Sequence, residues 1–171
     1  MSALRGEFGG LEGIAVIRGA RIVYAALAWA FVAAILVQVF LIGLGLFVGE
    51  DNLELHRNFG WILHLAPLPV LLAAALARAG RWRIIEAIGL AVVIFFVPIL
   101  AAIRADLPYA AAFHPVGAVI AFWLAVDLAR SATRLVRSSD TDDATSRAEW
   151  VGVVLIIALI LFVSLSGSPE A

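Results

Sequence analysis

Residues Ile22 to Val48 read IVYAALAWAFVAAILVQVFLIGLGLFV and contain no charged side chain. A helix needs about 20 apolar residues to cross the hydrocarbon core of a bilayer, so this stretch is long enough to span and to tilt. Four more such stretches follow, at about Phe59 to Ala77, Ile84 to Ile103, Tyr109 to Leu128 and Trp150 to Ser166. Backbone N–H and C=O groups in lipid find no water to bond, so each stretch must be a helix. A barrel would show alternating polarity in segments about half as long, and none is present. Composition agrees: 64% of the 171 residues are hydrophobic and the mean hydropathy is +1.05. A soluble domain is only about half apolar; the excess apolar surface here must face lipid. The expected fold class is all-α, a polytopic transmembrane helical bundle.

Arginine orients the bundle. All 12 basic residues are Arg. Arg5, Arg18 and Arg21 precede the first span, Arg78, Arg81 and Arg83 separate the second from the third, and Arg130, Arg134, Arg137 and Arg147 separate the fourth from the fifth. Only Arg57 and Arg104 fall on the opposite side. Basic loops stay in the cytoplasm, which predicts N-in and C-out. Trp82 and Trp150 then mark the inner interface, and Trp61 and Tyr109 the outer one. The Ala-rich, Arg-only usage suggests a bacterial genome, and with it a multi-pass protein of the bacterial cytoplasmic (inner) membrane.

The chain divides into an N-terminal cytoplasmic or interfacial segment (1–20), a four-helix bundle (21–130), a flexible cytoplasmic loop (131–149), an appended fifth helix (150–166) and a short external tail (167–171). In the first segment Leu4, Phe8, Leu11 and Ala15 recur at helical spacing, as on a membrane surface. It lacks the apolar core and small-residue cleavage site of a leader peptide. Ser146 and Glu149 have capping-box spacing at the entry to the fifth helix.

Several classes of function are excluded. A net charge of -1 offers no basic face for nucleic acid. The absence of Cys removes disulfides, thiolate zinc sites, cysteine-ligated iron–sulfur clusters and covalently attached c-type haem. No nucleophile elbow, P-loop or zinc-protease motif occurs, so nothing here marks an enzyme. No carboxylate sits at mid-membrane and no pair of broken helices marks a transport path. Glu86 and Asp127, near the cytoplasmic ends of helices three and four, are expected to pair with Arg83 and Arg130. The outer segment 50–56 and Asp140 to Asp143 carry acidic residues suited to a divalent cation but lack the spacing of a calcium loop.

Polar side chains inside spanning helices are costly and face the bundle interior. At about 1.5 Å of rise per residue, Gln38, His64 and His114 fall in one layer of the outer half. Pro67, Pro69 and Pro98 lie near this level, where they bend helices. One reading is a b-type haem held by two axial imidazoles on facing helices. Gly60 and Gly117 would supply small neighbours for a flat macrocycle, and Arg57 a partner for a propionate. His56 and His64 lie eight residues apart, about 12 Å along one axis, so they cannot share an iron. Depth favours His64 with His114; helix tilt of about 20° would admit His56. The other reading is a structural or assembly subunit, bound to other membrane subunits or to copies of itself, whose polar layer only fixes packing.

The segments Leu55-His-Arg-Asn-Phe-Gly60 and Phe113-His-Pro-Val-Gly117 resemble an uncharacterised family of small four-helix bacterial integral membrane proteins. More loosely they resemble four-helix b-type membrane cytochromes. The resemblance spans roughly residues 20–130. It implies haem b as cofactor and His56 with His114 as the matched ligands, against the depth argument for His64.

Overall fold

The computed structural model describes residues 2–138 and 147–166. Its helices are α1 (Ser2–Phe47), α2 (Leu53–Leu63), α3 (Pro67–Leu76), α4 (Arg81–Ala102), α5 (Pro108–Ala111), α6 (His114–Arg137) and α7 (Arg147–Ser166), with single 3-10 turns at Glu50–Asn52 and Ile103–Ala105. Four candidate spans result: Gly13–Phe47, Glu50–Leu76, Arg81–Ala105 and Pro108–Arg137. α7 adds a shorter apolar stretch, Val151–Ser164. The chain is a multi-pass, all-helical membrane protein. Residues 139–146 of the expected loop, the Ser146 capping position and the tail 167–171 lie outside the described residues.

The helix bounds move outward from the sequence expectation. α1 continues without a break from Ser2, so the helix of the N-terminal segment runs directly into the first span. α6 runs on to Arg137, because the residues after Leu128 keep burying a small face: Ala129, Ser131 and Ala132 are all enclosed.

α1 packs on α6, α2 and α3, and α4 packs on α3 and α6, so the four spans close a ring. α7 lies outside it against α3 and α4. Each helix turns one stripe inward at helical spacing. On α1 the stripe is Tyr24, Ala28, Phe31 and Ile35; on α4 it is Ile84, Ala87, Leu90 and Ile94; on α6 it is Ala121, Ala125 and Leu128. Alanine recurs because lipid tails are as apolar as leucine, so helix pairing depends on close backbone approach. Large apolar side chains cover the outside instead: Phe40, Phe47, Trp82, Tyr109 and Trp123 are each more than 60% exposed, the reverse of a water-soluble globule.

Proline interrupts two spans. Pro67 and Pro69 offer no N–H to the turn before them, and the chain passes from α2 to α3 through i→i−3 bonds, Leu65 to Ile62 and Ala66 to Leu63. Pro115 does the same between α5 and α6, where Phe113 bonds Ala110. The α3–α4 link is a tight Schellman turn: Arg78 N–H bonds Ala75 and Ala79 N–H bonds Ala74. Arg78 takes the left-handed position, φ 52°, that glycine usually fills. A left-handed L-residue costs roughly 1–2 kcal/mol. Arg78→Gly is therefore expected to raise the thermal midpoint slightly, as read by detergent-phase unfolding.

One buried cation sews an end of the ring together. Arg21, 4% exposed, donates to the carbonyls of Ala77, Leu135 and Ser138 at 3.2–3.5 Å. α1, at Arg21, thus meets the ends of α3 and α6, at the end of the bundle expected from the arginine bias to face the cytoplasm. Opposite faces for the two chain ends are expected from five crossings. Reporter fusions before α1 and after α7 check this, and signals from the same side would refute it.

Candidate functional site

At the other end of the ring a cavity of about 440 Å³ opens between α1, α2, α4 and α6. Gln38, His56, His64 and His114 all line it, among apolar neighbours such as Leu36, Val39, Ile94 and Phe122. It lies within the usual size range of ligand pockets.

Each histidine is held at Nδ1 by a backbone carbonyl. His114 Nδ1 lies 2.7 Å from Val97 O, His56 Nδ1 lies 3.1 Å from Gln38 O, and His64 Nδ1 bonds Trp61 O. A carbonyl only accepts, so Nδ1 carries the proton in all three rings and Nε2 presents its lone pair. This is how proteins orient metal-binding imidazoles: the second nitrogen donates to a carbonyl or carboxylate.

The three lone pairs have different surroundings. His64 Nε2 accepts from Ser164 Oγ of α7 at 3.2 Å, and the ring packs edge-on to Trp61. His64 is thereby occupied in docking the fifth helix. A Ser164→Ala change should cost roughly 0.6 kcal/mol, typical of an interhelical hydrogen bond in lipid, and loosen α7 in hydrogen exchange. His114 Nε2 makes no hydrogen bond among the described residues. His56 Nε2 has only the Gln38 amide nitrogen nearby, at 3.5 Å. The rings of His56 and His114 meet edge-on, 73° apart in plane, with centroids 6.3 Å apart. Two imidazoles bound trans to one metal, at about 2.0–2.1 Å per metal–nitrogen bond, hold their centroids roughly 6 Å apart.

The structure thus brings His56 and His114 together, whereas His64 turns to α7. The cause is where the spans begin. They start at Glu50 and Pro108, so His56 and His114 each lie six residues in, and His64 lies fourteen in.

Gln38 clamps His56 from both ends. Its carbonyl accepts from the ring, and its side-chain amide donates to His56 O at 2.7 Å. Its amide oxygen is buried with no hydrogen-bond partner among the described residues. That leaves one orphaned acceptor in the wall of an apolar chamber.

The glycines serve the clamps. A Cβ on Gly60 would stand 2.8 Å from Gln38 Nε2, and one on Gly117 would stand 2.9 Å from Val97 Cγ2. Gly117 does not line the cavity. It lets α6 approach α4 closely enough for His114 to reach Val97 O. Gly60 lets the Gln38 amide lie across α2. Gly117→Val should push α6 away and break the His114–Val97 bond, which changes in the imidazole NMR signals would report.

Two expectations are corrected. Arg57 is exposed and lines no part of the cavity, so it offers no anchor to an occupant. Asp127 pairs with Arg83 rather than Arg130: Arg83 Nη1 lies 2.6 Å from both Glu86 and Asp127, because Arg83 faces α6 across the helix interface while Arg130 points outward. The outer acidic segment does not converge either. Among the described residues, no three His, Asp or Glu side chains gather to hold a bare ion. Asp140 to Asp143 lie outside the described residues.

Residues 38–104 match a family of unknown function (DUF6220). The match begins at Gln38, includes His56 and His64, and ends before His114. No curated protein and no solved structure matches the chain.

Proposed function

We propose that the chain binds one b-type haem between His56 and His114 and passes single electrons at the outer side of a bacterial inner membrane. The observation that carries this reading is the neighbouring pair of imidazoles, each Nδ1 tied to a carbonyl and both rings lining the same cavity. The donor set supports the fit. Two neutral imidazoles alone leave a metal ion short of ligands, whereas a haem brings four ring nitrogens and needs two axial partners. The apolar walls suit a macrocycle.

When bound, the haem supplies a one-electron couple. The rest is the work of the chain. Val97 O and Gln38 O fix the orientation of the two rings and raise their basicity as ligands through the Nδ1–H bonds. Were His56 and His114 both to hold the group, its iron would keep no place for a substrate, which favours electron transfer over catalysis. Leu36, Val39, Ile94 and Phe122 exclude water, and burial of this kind tunes a redox potential.

The test is an absorption spectrum of the detergent-purified protein, produced with excess haem and then reduced with dithionite. A Soret band with sharp α and β bands at one haem per chain is expected. A folded protein that stays colourless, in the same oligomeric state, refutes the proposal. The polar layer would then be packing alone, in a subunit of a larger assembly.

A further inference from the structure

The opposite end of the bundle holds a second cavity, of about 260 Å³, between the start of α4 and the end of α6. Its walls are Ala79, Arg83, Ser131, Arg134, Leu135 and Ser138. Two guanidiniums and two hydroxyls are an unusual lining for a protein whose surface is otherwise apolar.

The charges around it do not cancel. Arg83 spends Nη1 on Glu86 and Asp127. A guanidinium carries five N–H donors, so Nε and Nη2 keep three. Arg134 makes no hydrogen bond or contact ion pair to any described residue, though it lies within the field of Asp127. Arg21, behind the cavity, covers the last carbonyls of α6 and holds Ser138 Oγ at 3.5 Å. Three arginines face two carboxylates here, leaving one positive charge over. The negative end of α6 is also masked.

We propose that this cavity binds a phosphate group, offered by an anionic phospholipid of the cytoplasmic leaflet or by phosphate free in solution. Arg134 and the spare donors of Arg83 form the fork. Planar guanidinium pairs match phosphate oxygens in bidentate fashion, and Ser131 can add a hydroxyl donor. The place is right for a headgroup, since basic pockets between helices on the cytoplasmic side are where anionic lipids are recognised. This reading is independent of the haem site and would stand if that site were empty.

The experiment uses the full chain in delipidated micelles, with native mass spectrometry counting bound molecules. Phosphatidylglycerol, phosphatidylcholine and inorganic phosphate are offered separately and in competition. Wild-type protein and an Arg137→Gln control should each retain one phosphatidylglycerol, and phosphatidylcholine should wash away. Arg134→Gln should lose retention by about tenfold, the worth of one charge-assisted hydrogen bond. Its melting should not change, because Arg134 has no hydrogen bond or contact ion pair to lose. Displacement of the lipid by excess inorganic phosphate identifies a free anion as sufficient ligand; no displacement assigns the site to the lipid. Equal retention by Arg134→Gln and wild type, or equal retention of the neutral and anionic lipids, overturns the proposal.

Discussion

Replacing His114 with Ala is expected to abolish the Soret band, and replacing His56 with Ala to abolish or shift it, while His64→Ala leaves it in place. The contrast follows from how each ring is used. His56 and His114 line one cavity with their ring centroids 6.3 Å apart. His64 gives its lone pair to Ser164. Losing one axial ligand converts a six-coordinate iron to five-coordinate, which broadens and moves the visible bands, so a stoichiometric pigment is not needed to see the effect. Supplying imidazole to the His114→Ala protein should restore the spectrum if the cavity is otherwise intact. A His64→Ala protein that loses its haem while His56→Ala keeps it would return the pairing to the one depth alone suggested.

The second large effect concerns Arg83. Glu86 and Asp127 both reach the same Nη1 at 2.6 Å, so that one cation separates two carboxylates. Arg83→Met would leave them facing each other across the α4–α6 interface. Removing one partner of a buried pair costs about 3–5 kcal/mol, and exposed pairs cost under about 1. The side chains here are 32%, 15% and 42% exposed, so an intermediate loss is expected, about 2 kcal/mol. The sign of the cause can be checked. Adding Asp127→Asn to Arg83→Met should recover part of the loss, because it removes the repulsion; Asp127→Asn alone should destabilise. If the double variant is no more stable than Arg83→Met, the carboxylates do not feel each other and the cluster is solvated.

The transmembrane architecture was legible because hydrophobic length is a one-dimensional property. A run such as Ile22 to Val48 cannot be anything but a span, whatever it packs on. The site was legible only as a set of residue types. All three histidines, Gln38 and both glycines stood out as polar or small residues in apolar surroundings, and all except Gly117 line one cavity. Residue spacing alone did not single out their pairing, because it depends on where each span enters the membrane. Glu50 to Asn52 and the short α5 add turns before the apolar runs begin, and counting from the hydrophobic stretch misses them. What the glycines make room for was not legible for a related reason. Sequence shows that a position is small but not what needs the space, and here a glutamine amide and a valine methyl need it. Arg57 was placed at the outer edge of its span, yet its side chain is exposed and lines no part of the cavity.

The ring is closed by its first and fourth spans, and this sets an order for biosynthesis. His56 leaves the ribosome well before His114, and Gln38 before both. The wall made by α6 cannot exist until its residues have entered the bilayer. Any large flat guest must then arrive after the fourth crossing is inserted, or be present while that crossing swings into position against α1. The late-emerging α7 then docks on the outside of α3 and α4, where Ser164 reaches the His64 ring.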